Sequence, residues 1–177
     1  MAKKRRRARA SQKFLILLLA VATTIGLIFY IRKGGGNGVN ESATAGVVIS
    51  EVMTSNKGAV ADDNGDFPDW VEIHNQGKSA VDIGGFGLSD DLLSAAKWTF
   101  PANTVLQPDG YILVFCGGDS TKGRMHAGFK LSASDDVILS SVAGKVIDSA
   151  KLRAVASGST LSRDPTNPDN WIESHPS

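Results

Sequence analysis

The 177-residue chain has one cysteine, three histidines and no acidic residue before Glu41. Each scarcity removes a class of function. A single thiol, Cys116, excludes an intramolecular disulfide. It closes the apolar stretch Tyr111-Ile112-Leu113-Val114-Phe115, which favours a shielded small side chain over the alternative of an intermolecular disulfide. Nucleophilic catalysis needs a serine or cysteine with a histidine and an orienting acid. Here His74 sits beside Glu72, His126 lies in a loop, His175 is near the C-terminus, and no serine occupies a G-x-S-x-G elbow. Asp90-Asp91 and Asp135-Asp136 are adjacent carboxylates, but neighbours in a strand face opposite ways, so neither reads as an acid/base dyad. Zinc spacing and a phosphate-cradling glycine loop are missing as well. The sequence therefore reads as non-enzymatic, with no catalytic residue and no organic cofactor.

Charge is present but segregated. The formal net charge is +1, yet nine of the nineteen Lys and Arg residues lie at or before Lys33 and all eighteen acidic residues lie beyond it. Residues 34–177 consequently carry a net of −8. The basic residues flank an apolar run from Phe14 to Ile31, with Lys3, Lys4, Arg5, Arg6, Arg7, Arg9 and Lys13 before it and Arg32 and Lys33 after it. Eighteen residues at the helical rise span roughly 27 Å, close to the ~30 Å hydrocarbon core of a bilayer. Seven cations before against two after predict a cytoplasmic N-terminus and an external C-terminal part. The competing reading is a signal peptide cleaved after Ala20-Val21-Ala22; it would leave the apolar stretch Ile25–Ile31 at a new N-terminus, which favours an uncleaved signal anchor. An arginine-rich head can also bind nucleic acid, but directly before a membrane span it is more simply a topology signal.

These features divide the chain into a basic cytoplasmic head at 1–13, a transmembrane signal anchor at 14–31, a flexible Gly-rich linker at 32–45 and a folded domain at 46–177. The linker stretch Gly34–Ala45 reaches roughly 20 Å as an ideal chain. In the domain, short apolar runs recur between Gly, Pro, Asn and Asp, and no segment sustains a helical period. Strands are predicted at 47–54, 69–75, 80–83, 86–89, 97–100, 111–116, 128–132, 136–140, 145–149, 158–162 and 170–173. Many short strands separated by turn signals argue an all-β antiparallel sandwich. Trp70, Trp98, Phe100, Phe115, Phe129 and Trp171 are candidate core or near-core rings, since a sandwich of this size needs large residues inside.

The opening strands carry specific motifs. Ile49-Ser50-Glu51-Val52-Met53-Thr54-Ser55-Asn56 is followed, after an acidic loop, by Asp69-Trp70-Val71-Glu72-Ile73-His74-Asn75. In the second, Trp70, Glu72 and His74 point one way and Val71 and Ile73 the other. Then come Gly84-Gly85-Phe86-Gly87-Leu88-Ser89-Asp90, Lys97-Trp98-Thr99-Phe100-Pro101, Leu106-Gln107-Pro108-Asp109-Gly110-Tyr111, His126-Ala127-Gly128-Phe129-Lys130-Leu131-Ser132 and Gly158-Ser159-Thr160-Leu161-Ser162-Arg163 with Trp171. This ordered set resembles the lamin tail domain, over about Gly46 to Ser177. The resemblance implies an immunoglobulin-like β-sandwich of the kind found in nuclear lamins and in bacterial surface proteins, with protein, DNA or envelope-polymer contacts. The coiled-coil rod and nuclear localisation signal of the lamins are missing from this sequence, which turns the reading toward the bacterial members.

Two clusters are candidate sites. Asp62, Asn64 and Asp66 have a D-x-N-x-D spacing that can place oxygens around a hard cation such as calcium. Phe67 and Ile73 stand where an EF-hand needs glycine and glutamate, so the alternative is a solvated hairpin connection turning at Asn64-Gly65. Lys151, Arg153 and Arg163, with Lys122, Arg124 and Lys130, form the other cluster, an anion-binding strip in prospect. Against the acidic balance of the domain, nucleic acid is not expected as a partner. The function expected is a membrane-anchored binding module that tethers a protein or cell-envelope ligand at a bacterial surface. The alternative is the targeting region of a larger surface hydrolase, nuclease or spore-coat-kinase-like enzyme of which this chain is a fragment, because members of the resembling family usually continue past Trp171 through a Pro-Gly-x-Pro-Asn tail. Ligand identity and oligomeric state leave no mark in the sequence.

Overall fold

A computed structural model describes residues 46–177. The expected head, membrane helix and linker lie outside the described residues. Among those described, no helix is long and apolar enough to cross a membrane.

β-Branched and aromatic residues build eleven strands: β1 (Val47–Met53), β2 (Trp70–Asn75), β3 (Val81–Asp82), β4 (Gly87–Ser89), β5 (Trp98–Thr99), β6 (Val105–Leu106), β7 (Tyr111–Phe115), β8 (Asp136–Ser140), β9 (Val146–Lys151), β10 (Thr160–Asp164) and β11 (Asn167–Ser174). They form a five-stranded sheet in the order β11-β10-β1-β2-β7, a four-stranded sheet β5-β4-β8-β9 and a small β3-β6 pair, and every strand pair is antiparallel. Val47, Ile49, Val52, Val71, Ile73, Val114 and Leu161 from the larger sheet share one buried cluster with Leu88, Val137, Leu139 and Ala150 from the smaller. Ile83, Phe86, Phe100 and Leu106, on and around the short strands, join the same cluster. The result is the all-β antiparallel sandwich expected from the sequence pattern.

Strict alternation along β1 would place Glu51 on the same side as Ile49, inside the core. A bulge prevents it. The register runs Ile49 opposite Ile73 and then Glu51 opposite Glu72, leaving Ser50 as the extra residue. One inserted residue flips every side chain beyond it, so Val52 enters the core while Glu51 and Met53 turn outward beside Glu72 and Trp70. The bulge thus puts two carboxylates next to each other on the outer face of the larger sheet.

Two differences from the predicted elements have local causes. Residues 128–132 are not a strand: Lys130 makes one isolated bridge with Gly117, and Gly118 N donates to Phe129 O (3.0 Å). Phe129 and Leu131 are still buried, so the alternation seen in the sequence is real, but Gly118 at φ 83° bends the facing segment away before a ladder can form. In the other direction, Val105–Leu106 forms β6 outside the predicted strands; two residues are too few to show a period. Among the candidate rings, Trp70, Phe100 and Phe129 are buried, whereas Trp98 and Trp171 pack half-buried against the core. Phe115 is half-buried against His126, ring centroids 5.3 Å apart.

The motif asparagines prove to be loop organisers. Asn75 is fully buried; its Nδ2 donates to the carbonyls of Ser79 (2.9 Å), Leu106 (3.1 Å) and Gln107 (3.0 Å), and its Oδ1 accepts from Gly77 N (3.0 Å). Asn56 does the same for the acidic loop, donating to Val60 O (2.7 Å) and Pro68 O (2.9 Å) and accepting from the backbone of residues 58–60. Each satisfies loop carbonyls and amides that no strand can reach.

Candidate binding site on the sandwich

Two recesses carry the polar residues singled out in the sequence. The first, of about 490 Å3, lies between the acidic loop and the segment after β7; Lys57, Asp62, Asp66, Asp69, Lys122 and His126 are among its lining residues. Its geometry is closed upon itself. Asp62 Oδ1 accepts from the backbone N of Asn64 and of Asp66 (both 2.9 Å), while Oδ2 meets His126 Nε2 at 3.0 Å. Both partners of this pair are buried, His126 to 3% side-chain exposure. Burial alone would push the Asp62 carboxyl up, but the hydrogen bonds from His126, Asp66 and Asn64 outweigh it and hold the group at about 2.

The other members of the predicted calcium triplet face elsewhere. Asp66 forms an ion pair with Lys122, and Asn64 Nδ2 donates to Lys122 O (3.1 Å). The three side chains therefore bond to the segment after β7, Asp62 to His126 and both Asn64 and Asp66 to Lys122, instead of converging on one point. Among the described residues no group of three or more His, Cys, Asp or Glu is arranged to hold a metal ion. The Asp62–His126 pair was missed by sequence reasoning, and no local signal marks it, since the two lie 64 positions apart.

The basic cluster is distributed rather than gathered. Arg124 donates to Ala102 O (2.8 Å) and Arg153 to Trp171 O (2.9 Å), and the Lys130 methylenes pack over Gly118. Arg163 has the largest structural task. Its Nη2 reaches both oxygens of Asp148 (2.6 Å each), Nε donates to Ile49 O (2.7 Å), Nη1 donates to Pro168 O (2.6 Å), and the guanidinium lies 4.7 Å over the Trp171 ring. Asp148 in turn accepts from Ile49 N (2.7 Å), at the β1 bulge. These contacts tie β1, β9, β10 and β11 together. Cys116 is buried and its thiol is pushed far up, by burial first and then by Asp69 and Asp90, so it is an inert core residue.

The second recess, of about 440 Å3, lies on the outer face of the five-stranded sheet and is lined by Glu51, Glu72, His74, Tyr111, Ser162 and Ser174, among others. The predicted sharing of a face by Glu72 and His74 holds here, and the bulge adds Glu51. Glu51 Oε1 accepts from Thr160 Oγ1 (2.5 Å), its Oε2 from Ser177 Oγ (2.8 Å), and Glu72 Oε1 accepts from Ser50 Oγ (2.5 Å). Burial raises the Glu72 carboxyl; the Ser50 hydrogen bond works against it, Glu51 adds to it and His74 reduces it. His74 Nε2 is 2.9 Å from Asp109 Oδ1, and its ring stacks on Tyr111 with centroids 3.9 Å apart and planes 9° from parallel. Asp109 holds a left-handed backbone at φ 59°, in the turn where Gly110 N donates to Gln107 O (2.9 Å), a conformation aspartate tolerates better than most residues. Tyr111 is 56% exposed. An exposed ring on a fixed support, with carboxylates beside it, can hold a cationic or polyhydroxyl group.

The comparisons with known proteins agree with this architecture. No curated protein matches the sequence significantly. Residues 40–153, well over half of the chain, match the family model of the lamin tail domain. That stretch ends before β10 and β11, which complete the same five-stranded sheet and carry the Arg163 knot. Lamin tail domains are β-sandwich domains of the interaction type, a binding and not a catalytic family. With its motifs, its antiparallel sheets and this match in accord, the chain belongs to the lamin tail domain family.

Proposed function

We propose that the chain is a membrane-anchored lamin tail module that holds a protein or envelope polymer outside a bacterial cell, without catalysing a reaction. The observation that carries the binding role is the contrast between polar groups that are spent and polar groups that are open. Asp62 and Asp66 of the acidic loop, Asn56, Asn75 and Arg163 are engaged by contacts within the fold, whereas Tyr111 of the outer-face recess and the Asp109 side chain near it are exposed to solvent. The anchor rests on the apolar run Phe14–Ile31 and its flanking cations.

Protease added to intact cells tests the placement. Removal of the β-domain, with the remainder staying in the membrane fraction, is the expected result. Recovery of the domain in the medium with Thr23 as its first residue would instead establish cleavage after Ala22 and end the anchor reading. Pull-downs with peptidoglycan and wall polymers, run alongside DNA at two salt concentrations, test the class of ligand, and only the DNA arm is expected to stay empty.

A further inference from the structure

We propose that the free edge of β7 is a docking strand, which takes up an extended, lysine- or arginine-bearing segment of a partner protein as a sixth strand of the larger sheet. The inference rests on the binding-module reading but not on the membrane anchor.

The two edges of that sheet are built differently. β11 carries Pro168, Asp169 and Glu173, and the carbonyls of Pro168 and Trp171 are taken by Arg163 and Arg153. Proline and charge are the ordinary means of blocking an edge. β7 has neither: all five of its residues are aromatic or aliphatic.

The pairing pattern tells which backbone groups β7 leaves open. Cys116 N donates to Asp69 O (2.6 Å) and Asn75 N to Gly110 O (2.9 Å), so positions 110, 112, 114 and 116 bond toward β2. By the two-residue alternation of an antiparallel ladder, Tyr111, Leu113 and Phe115 turn their N–H and C=O groups the other way. Those of Phe115 are occupied, its N donating to Met125 O and its O accepting from Ala127 N, both at 2.8 Å in a single parallel bridge. Among the described residues no strand lies against Tyr111 and Leu113. The edge therefore already accepts an added segment at one end and offers two donors and two acceptors at the other.

Charge selects the occupant. Side chains of an added strand that project on the outer face would lie alongside Tyr111, with Glu72 in the same recess and the Asp109 side chain, 88% exposed, held beside it at 2.9 Å from His74 Nε2. An ammonium or guanidinium there meets an aromatic face and two carboxylates. A second copy of the chain would bring an identical acidic face from a domain of net charge −7, so self-pairing is opposed. Main-chain bonds would give the affinity and the cationic side chain the selectivity, as in β-strand addition generally.

The test uses the full chain in detergent micelles and three decapeptides: (Thr-Lys)5, (Thr-Glu)5, and (Thr-Lys)5 N-methylated at every second residue so that one edge loses its donors. The expected result is that (Thr-Lys)5 slows amide exchange at Tyr111 and Leu113 about ten-fold or more, while the other two do not. Because the N-methylated peptide keeps its charge, equal binding by it would reduce the effect to unspecific attraction and overturn the proposal. Exchange protection at Tyr111 that grows with protein concentration alone would overturn it in favour of a second copy. Leu113→Lys, placed on the outer face, should abolish protection by (Thr-Lys)5; Asp109→Asn, a milder change, should weaken binding several-fold. If Leu113→Lys leaves capture of a wall polymer intact while (Thr-Lys)5 never binds, the module reading stands and the docking edge falls.

Discussion

The acidic loop and the outer-face recess are both polar, both near β2, and of similar volume, yet they are opposite in kind. In the loop every notable carboxylate is answered from inside the fold: Asp62 by His126 and two backbone amides, Asp66 by Lys122. In the recess Glu72 has a serine hydroxyl and Tyr111 faces solvent on a stacked support, while Asp109 beside it shares one histidine nitrogen. Conspicuous motif residues are thus not the same as available ones. A polar side chain that saturates buried backbone groups organises a loop, and one with spare valence at the surface can recognise something.

That contrast can be attacked from both sides. The largest expected effect is on the loop: Asn56→Ala removes the bonds to two carbonyls and three amides of a part-buried loop and should cost about 2 kcal/mol, read as a fall in the urea midpoint. A loss below about 0.5 kcal/mol would mean that the loop does not depend on its asparagine.

Acid should separate the two regions by sign. The folded Asp62 carboxyl sits at about 2, below its ordinary 3.8, so the stability it contributes is complete above about pH 4 and is lost as the pH falls through 2. Glu72 is shifted upward, so it opposes folding at neutral pH and that penalty is relieved on acidification. Urea midpoints between pH 7 and pH 2 should accordingly fall less steeply at the acid end for Asp62→Asn than for the parent, and Glu72→Gln should raise the midpoint slightly at pH 7. A Glu72→Gln protein less stable than the parent at pH 7 would overturn the reading that burial, with Glu51 beside it, makes the Glu72 charge unfavourable.

Tyr111→Ala should change stability by no more than about 0.5 kcal/mol, since the ring is largely exposed, while lowering affinity for a cationic strand about ten-fold. A matching loss of stability would recast the ring as structural. Smallest of all is the expected response to calcium: with the Asp62 oxygens engaged by internal donors, millimolar calcium should leave the melting temperature unchanged, and a clear rise would establish the cation site that the D-x-N-x-D spacing suggests.

Much of the fold could be read from periodicity. β2 shows it plainly, because Val71 and Ile73 alternate with residues of different chemistry. Within β7 every residue is apolar, so alternation could not reveal that Tyr111 and Leu113 face outward or that the strand is an edge. The position of Glu51 was hidden by the bulge, which no residue type announces. His126 could not be matched to Asp62 because contacts made through tertiary folding leave no spacing in the chain. By contrast, the shared face of Glu72 and His74 follows from two-residue geometry alone.

The order of strands has a mechanical corollary. The chain enters the domain at Val47, the first residue of β1, and β1 is the middle strand of five, laddered to β10 on one side and β2 on the other. Tension arriving from the N-terminal side pulls along that strand, so it loads both ladders in shear, with many hydrogen bonds sharing the force at once instead of opening one by one. A load applied at the β7 edge would reach the same strand through β2. Such an arrangement suits a domain that bears load: force entering at β1 is spread across the larger sheet, while the small sheet and its loops stay out of the line of pull.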